Sequence, residues 1–249
     1  NTSFLISGGH NEETTTFPGS YRYKRTTLGV NLNHETENKK FRINLNTYYT
    51  KQNNFLPPSD FSRVYRLAPN APDLFSADGS INWANKTFAN PMGEATQIYK
   101  MKGDQLLSNV NLNYAITKEL QLNVNGGYSK SLTEEKRLFP KTFYNPEFNI
   151  GSDRSAISVA TPQYSNWILE PQLNYNHQWK KHKIDVLVGA TLQNQNTENT
   201  VLYASNFPSD DLIENISSAV SLKVNSGGSS IYKYQALYGR FNYNFNSKY

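Results

Sequence analysis

Apolar and amide side chains alternate along residues 164–193. The first arm reads Tyr164-Ser-Asn-Trp-Ile-Leu-Glu-Pro-Gln-Leu-Asn-Tyr-Asn-His-Gln-Trp179. Its odd positions from Trp167 to Trp179 carry Trp, Leu, Pro, Leu, Tyr, His and Trp. Its even positions carry Asn166, Ile168, Glu170, Gln172, Asn174, Asn176 and Gln178. A period of two predicts a β-strand with one greasy and one wet face. The second arm repeats the pattern with Ile184, Val186, Val188, Ala190 and Leu192, after a basic turn Lys180-Lys-His-Lys183. The wet face is mostly Asn and Gln, and the greasy face is bracketed by Trp167 and Trp179. The twelve residues between them make ~40 Å of strand, or ~28 Å tilted by ~45°. Outer-membrane barrels carry an apolar band ~25 Å tall between aromatic girdles. The stretch therefore reads as a transmembrane hairpin with lipid on one side and a wet lumen on the other.

The same alternation predicts further strands near 2–10, 21–34, 41–51, 105–117, 119–132 and 231–245, eight in all with the two arms of the hairpin. In residues 105–117 the greasy face holds Leu106, Val110, Leu112, Tyr114 and Ile116, against Asn109, Asn111 and Asn113. Leu120, Leu122, Val124 and Tyr128 oppose Gln121, Asn123 and Asn125 in the next. The last ends on the aromatic–amide run Phe241-Asn-Tyr-Asn-Phe245. Tyr114, Tyr128, Phe241, Tyr243, Trp167 and Trp179 are the candidate lipid-interface girdle. Connections near 35–40, 117–119, 180–183 and 246–248 are short. Those near 11–20, 53–101, 133–163 and 194–230 are longer and rich in Pro and Gly. Sorting of short turns to one end and long loops to the other is what periplasmic and extracellular sides of a barrel show. Pro171 sits inside the greasy stripe, where a missing N–H predicts a local break in pairing, as a bulge or a register shift.

Composition changes this picture little. The chain has 249 residues, no Cys and no run of eighteen apolar residues, which removes a membrane helix but not a barrel. It begins Asn1-Thr-Ser-Phe, without Met or signal peptide, as a processed protein or a fragment does. The net charge is +5, yet the lysines fall largely at the short turns and not in an aromatic-interleaved basic cluster, which argues against nucleic acid.

No catalytic or metal constellation is evident, and no cofactor is expected. His10, His34, His177 and His182 form no HExxH pair or Cys/His cluster. His182 reads as solvated in a turn, and His177 as an interfacial ring beside Trp179. Carboxylates are scattered, without a nucleophile elbow or an EF-hand spacing. In the long loops, Tyr65, Trp83, Phe143 and Tyr144 are candidate contacts for a ligand or a lid protein, although packing of the loops on themselves is the simpler reading.

Several segments resemble SusC/RagA-type TonB-dependent transporters. These are Tyr21-Arg-Tyr-Lys-Arg25 leading into Gly29-Val-Asn-Leu-Asn33, Asn90-Pro91, Asn145-Pro-Glu-Phe-Asn149, Phe207-Pro-Ser-Asp210, and Ala236-Leu-Tyr-Gly-Arg-Phe-Asn-Tyr-Asn-Phe-Asn-Ser-Lys-Tyr249. The resemblance covers essentially the whole chain. It implies an all-β, antiparallel transmembrane barrel segment, about eight strands of a barrel of about 22. Residues 1–249 would all be barrel wall and loops, with nothing resembling the plug domain. The implied function is import of large nutrients, oligosaccharides or peptides, across the bacterial outer membrane, and not enzymatic catalysis. The implied partners are a SusD-like lipoprotein lid, TonB acting through the plug, and lipid with lipopolysaccharide. The rest of the barrel, or the barrel-assembly machinery, would meet the open strand edges. A passive porin or small structural barrel and a secreted soluble carbohydrate-binding β-protein are the alternatives.

Overall fold

The computed structural model describes residues 1–17 and 19–246. Pro18 of the Pro18-Gly19 turn and the terminal Lys248-Tyr249 lie outside the described residues. Nine strands form one antiparallel sheet: β1 (Thr2–Thr14), β2 (Arg22–Glu35), β3 (Phe41–Leu56), β4 (Ile98–Ala115), β5 (Leu120–Phe139), β6 (Ala156–Ala160), β7 (Gln163–Trp179), β8 (His182–Ser205) and β9 (Ser221–Phe245). Both β6 and β7 run antiparallel between β5 and β8, one above the other. They are one column interrupted at Thr161-Pro162. The Thr161 N–H donates to the Thr200 carbonyl at 2.9 Å and the Thr133 N–H to the Pro162 carbonyl at 3.0 Å, which carries the ladder across the gap. Counted by column, the nine strands occupy eight places.

The register joins the alternating faces. One row on the apolar face runs Phe4, Leu32, Leu45, Val110, Gly126, Leu169, Leu192. The next toward the short turns runs His34, Ile43, Leu112, Val124, Pro171. A slip of one residue anywhere would throw these side chains onto the amide face, so the pattern itself fixes the register. In β7 the apolar side chains are exposed, with Leu169 at 38% and Leu173 at 40%, while the amide-face positions 164–174 are half-buried. Crowding on the amide side is what a curved sheet imposes on its concave face.

Short connections gather at one end: residues 36–40, 116–119 and the two-residue turn Lys180-Lys181. The basic turn is thus tighter than residues 180–183, since His182 already pairs with Trp179. Long connections gather at the other end, at 15–21, 57–97, 140–155 and 206–220. Here the strands run further than the sequence pattern predicts. Residues 194–205 and 221–230, read as loop, pair β8 with β9. The ladder also includes 53–56, 98–101, 133–139 and 156–160. β1 passes through Gly8-Gly9 without stopping.

Pro171 interrupts one ladder and not the other. On the β5 side Glu170, Pro171 and Gln172 pair continuously with Asn125, Val124 and Asn123. On the β8 side pairing stops after Leu169–Leu192 and resumes at Gln172–Gly189. Two residues are skipped on each strand, so the register is unchanged and neither a bulge nor a shift occurs. An antiparallel residue directs its N–H and C=O to the same neighbour, and at residue 171 that neighbour is β8. The Thr191 hydroxyl donates to Glu170 Oε1 across the gap at 3.3 Å. The one bulge in β8–β9 lies elsewhere, where Val201 faces Ser226 and Leu202 faces Val224, leaving Asn225 extra.

The buried core is at the long-connection end. Leu138, Ile157, Val159 and Ala204 lie on the apolar parity of their strands, and the 206–220 connection folds over them with Phe207 and Ile213. Phe207 is 1% exposed. Lys100 pairs with Glu214 across the same contact. Asp210 receives the Ser155 hydroxyl and, at 3.1 Å, the Lys141 N–H. Connections 57–97 and 140–155 are held by their asparagines. Asn90 accepts from the Met92 N–H at 2.9 Å and donates to the carbonyls of Leu74 and Asn82 at 2.7 and 2.8 Å. Asn145 caps its turn in the same way through the Glu147 N–H at 2.9 Å. Both precede a proline that opens a helical turn, Pro91 and Pro146, the position where a lost N–H costs least.

Candidate functional site

Two faces and one rim make up the candidate site. The apolar face is continuous from Phe4 and Ile6 on β1 to Leu237 and Phe241 on β9, and all four side chains are more than half exposed. Exposed apolar patches on soluble monomers seldom exceed a few hundred Å², and a sheet-wide face is far beyond that. Toward the short turns it ends in an aromatic row. Tyr175, His177, Trp179 and His182 stack in sequence at 6.1, 5.6 and 5.4 Å between ring centroids. His182 continues to Tyr243 at 5.9 Å and Phe245 at 5.0 Å. Its Nδ1 lies 2.6 Å from the Tyr243 hydroxyl. His182 is therefore part of this row and not a solvated turn residue: the two-residue turn starts β8 two positions earlier and aims the ring at Trp179. Toward the loops, on β5 and β7, the face carries Tyr128 and Trp167, which are direct cross-strand partners. Tyr114 pairs with Phe41 and Leu122 on the same face. All six girdle candidates thus share one face.

The other face is a field of amides. Asn33, Asn44, Asn111 and Asn125 form one row across β2–β5, and Asn31, Asn46 and Asn109 the next. Asn113 and Asn123 stand opposite each other in the row below. Asn44 Nδ2 donates to Asn33 Oδ1 at 2.6 Å. Gln193 Nε2 donates to Asn166 Oδ1 at 3.0 Å, and Gln172 Nε2 to the Tyr238 hydroxyl at 2.9 Å. Tyr238 covers Gly189 so closely that a Cβ there would lie 2.6 Å from its ring. Each amide offers donors and acceptors without net charge. Such a surface holds water, peptide groups or sugar hydroxyls without selecting a sign of charge. Charge enters at Glu170, which extends the first asparagine row beside Asn125 and accepts from the Thr191 hydroxyl, and toward the two ends. Near the short turns Arg240 meets Asp185 at 3.2 Å. Near the rim, a cleft of about 290 Å³ is lined by Tyr99, Glu135, Arg137, Ser158 and two prolines, Pro57 and Pro58. Arg137 Nε donates to Gln97 Oε1 at 3.0 Å, and its guanidinium lies 5.4 Å from the Phe139 ring.

The four loop candidates divide. Trp83 and Phe143 come together around Gly93, where a Cβ would meet the Trp83 ring at 2.7 Å and the Phe143 carbonyl at 3.1 Å. Phe143 and Tyr144 pack edge-on at 5.0 Å. Tyr65 stands apart on the helical turn Ser62–Tyr65 and is 86% exposed. That turn is tied down by an Arg63–Glu94 ion pair. In the same connection the Ser80 hydroxyl and N–H bond Asp78 at 2.7 and 3.0 Å and hold its carboxyl below the usual range. The rim cleft and the amide rows escaped recognition as a site in the sequence, because neither carries a motif with fixed spacing. Among the described residues no cluster of His, Cys, Asp and Glu could hold a metal ion. Nor is any helix among the described residues long and apolar enough to cross a membrane.

No protein-family model and no curated protein matches the chain. Solved structures do. The chain is similar to the RagAB peptide transporter with a TM-score of 0.73 and 16% identity, covering 99% of this chain and 29% of that one. It is similar to the unliganded ferric citrate transporter FecA with a TM-score of 0.53 and 14% identity, covering 98% of this chain and 30% of that one. It is also similar to BauA, the ferric preacinetobactin receptor of Acinetobacter baumannii, with a TM-score of 0.52 and 10% identity, covering 98% and 34%. The chain thus spans about a third or less of these relatives. At such identities the shared feature is the fold, an antiparallel β-barrel wall.

Proposed function

We propose that this chain is part of the barrel wall of a SusC/RagA-type, TonB-dependent importer in the bacterial outer membrane. The observation that carries the reading is the sheet-wide apolar face, closed by an aromatic row at the short-turn end and carrying the Tyr128–Trp167 pair toward the loops, backed by a face of amides. Lipid covers the first and the water-filled lumen meets the second. The short turns then face the periplasm and the long connections the outside. The overlap with a peptide transporter over 99% of the chain supports the SusC/RagA type, as do Asn90-Pro91, Asn145-Pro146 and Phe207–Asp210, each of which builds a loop contact.

The cargo on this reading is a large polar nutrient, a peptide or an oligosaccharide, which slides over a face of amides with the single mid-strand carboxylate Glu170. A SusD-like lipoprotein sits on the long connections, where Tyr65 stands exposed. TonB works through a plug domain elsewhere in the protein, and other barrel strands meet the edges of β1 and β9, since open edges in lipid are costly. Trp167 and Tyr128 toward the long connections, and Trp179, Tyr243, Phe241 and Tyr114 toward the short turns, anchor the wall at the two interfaces. The test is uptake by cells that carry the complete protein. Loss of uptake when TonB is deleted, together with co-purification of a lipoprotein from outer membranes, is the expected result. Uptake that persists without TonB identifies a passive porin instead.

A further inference from the structure

We propose that the rim cleft on the amide face is a carboxylate subsite for cargo, where Arg137 takes the free C-terminal end of a peptide. This rests on the importer reading and names the cargo that its outer mouth selects. From Tyr128 to Arg137, β5 rises ~30 Å, or ~21 Å when tilted, so Arg137 stands beyond the loop-side aromatic pair and outside the bilayer. Its odd position puts it on the face of Asn123 and Asn125. One row there runs Tyr99, Arg137, Ser158 and Tyr203. The row below it runs Met101, Glu135, Ala160 and Val201. Pro57 and Pro58, at the start of the 57–97 connection, complete a cleft of about 290 Å³ over these rows.

The Arg137 guanidinium is held in place by the protein itself. Its Nε donates at 3.0 Å to Oε1 of Gln97, which is 5% exposed, and an Nη donates at 3.4 Å to the Pro58 carbonyl. It also lies 5.4 Å from the Phe139 ring. The rest of the fork has no acceptor among the described residues. Neither Arg137 nor Glu135 makes an ion pair among them, although both line the cleft. A ligand that fits must bring an anion to Arg137 and a donor to Glu135 side by side. The last residue of a peptide does both. Its carboxylate suits the planar fork, and its amide N–H suits an acceptor. Its side chain meets the apolar walls Pro57, Pro58 and Ala160. A sugar carries a hydroxyl on nearly every carbon, and the cleft offers only Tyr99, Ser158 and the two charges to satisfy them. A second carboxylate on the ligand is opposed by Glu135.

The experiment uses the complete protein in detergent and a pool of random short peptides without Asp or Glu. The pool is made once as free acids and once as C-terminal amides, and mass spectrometry counts what is retained from an equal mixture. The wild type is expected to retain free acids at least about tenfold over amides, the strength of hydrogen bonds to a charged group. Arg137→Gln is expected to bring that ratio to about one. Arg137→Lys keeps the charge and loses the fork, and is expected to hold a ratio of about three. Glu135→Gln keeps an acceptor and removes a repelling charge, so its capture of free acids is expected to rise about twofold. An Arg137 that only holds Gln97 and Pro58 in place would not give these opposite effects. Heat-modifiable gel mobility shows which variants are folded, and Arg137→Lys carries the test should Arg137→Gln misfold. Equal retention of acids and amides by the wild type, retention of neither, or an unchanged ratio in the folded Arg137 variant overturns the proposal. Oligogalacturonate retained in preference to the free-acid peptides overturns its peptide part. Uptake that persists without TonB refutes the importer reading itself, which is a different result from TonB-dependent uptake without preference for free acids.

Discussion

Replacing Leu173 by Arg sets the two faces of the wall against each other. Leu173 lies midway between Trp167 and Trp179, six residues from each. That is ~20 Å of strand and ~14 Å of height on either side, which places it at the bilayer midplane. Its neighbours across the strands are Leu122 and Val188, so no partner for a guanidinium lies beside it on that face. An Arg facing lipid at the midplane of a barrel costs about 2–4 kcal/mol, or between about thirtyfold and a thousandfold in the folding equilibrium. Asn174, one residue on, lies between Gln121 and Leu187 on the amide face. Asn174→Arg meets water and is expected to cost within about 0.5 kcal/mol. Trp179→Arg, at the interface, is expected to fall near the 0–1 kcal/mol found at barrel edges. The assay is urea unfolding of the complete protein in vesicles, with the folded fraction read by heat-modifiable gel mobility and tryptophan fluorescence. A cost for Asn174→Arg equal to or above that for Leu173→Arg would refute the assignment of faces.

Pro171→Val is expected to stabilise the protein by about 0.5–1.5 kcal/mol, since it supplies the N–H that the β8 side lacks without altering a register that is already in phase; a fall in the unfolding midpoint contradicts this. Phe207→Ala removes the ring at the centre of the loop-end core and is expected to cost about 3–5 kcal/mol locally, seen as protease cleavage within 206–220 while the belt stays folded. Gly189→Ala pushes the Tyr238 ring aside and breaks its bond to Gln172, at an expected cost of about 1 kcal/mol that Gly189→Ala/Tyr238→Phe does not increase. The Asp78 carboxyl has a lowered pKa in the folded protein because of the Ser80 hydroxyl and N–H, so its contribution is present above the ordinary carboxylate range and lost as pH falls through the folded value; amide exchange at Gly79 and Ser80, corrected for intrinsic rates, is expected to rise on acidification and not on alkalinisation.

The belt was legible because lipid imposes a strict alternation. Leu169, Leu173 and Tyr175 against Gln172, Asn174 and Asn176 leave one register, and the structure adopts it. The strand ends were not legible for the complementary reason. At Thr197–Thr200 and Gly227–Ser230 both faces are wet, no apolar alternation marks the strand, and the Gly227-Gly228 pair reads as a turn although it sits in the ladder opposite Thr200 and Asn199. Pro162 hid the continuity of β6 and β7. The loop-end core was missed because Phe207 and Ile213 come from a connection and meet strand residues far away in the chain. Pro171 was recognised as a break, but which neighbour loses the bond depends on which side its nitrogen faces, and that requires the pairing itself.

The most direct measurement is a spin-label scan of β7 in the complete protein in lipid. These 249 residues hold no Cys, and with any cysteine elsewhere in the complete protein replaced by Ser each introduced Cys labels one known position. Single labels at residues 168 to 176 are read for collision with oxygen, which concentrates in lipid, and with a water-soluble nickel chelate. The account predicts two profiles of period two, out of phase, with oxygen highest at 169, 173 and 175 and nickel highest at 168, 172, 174 and 176. Profiles in phase, or nickel access at the odd positions between Trp167 and Trp179, would contradict a wall with lipid on its apolar face and water on its amides.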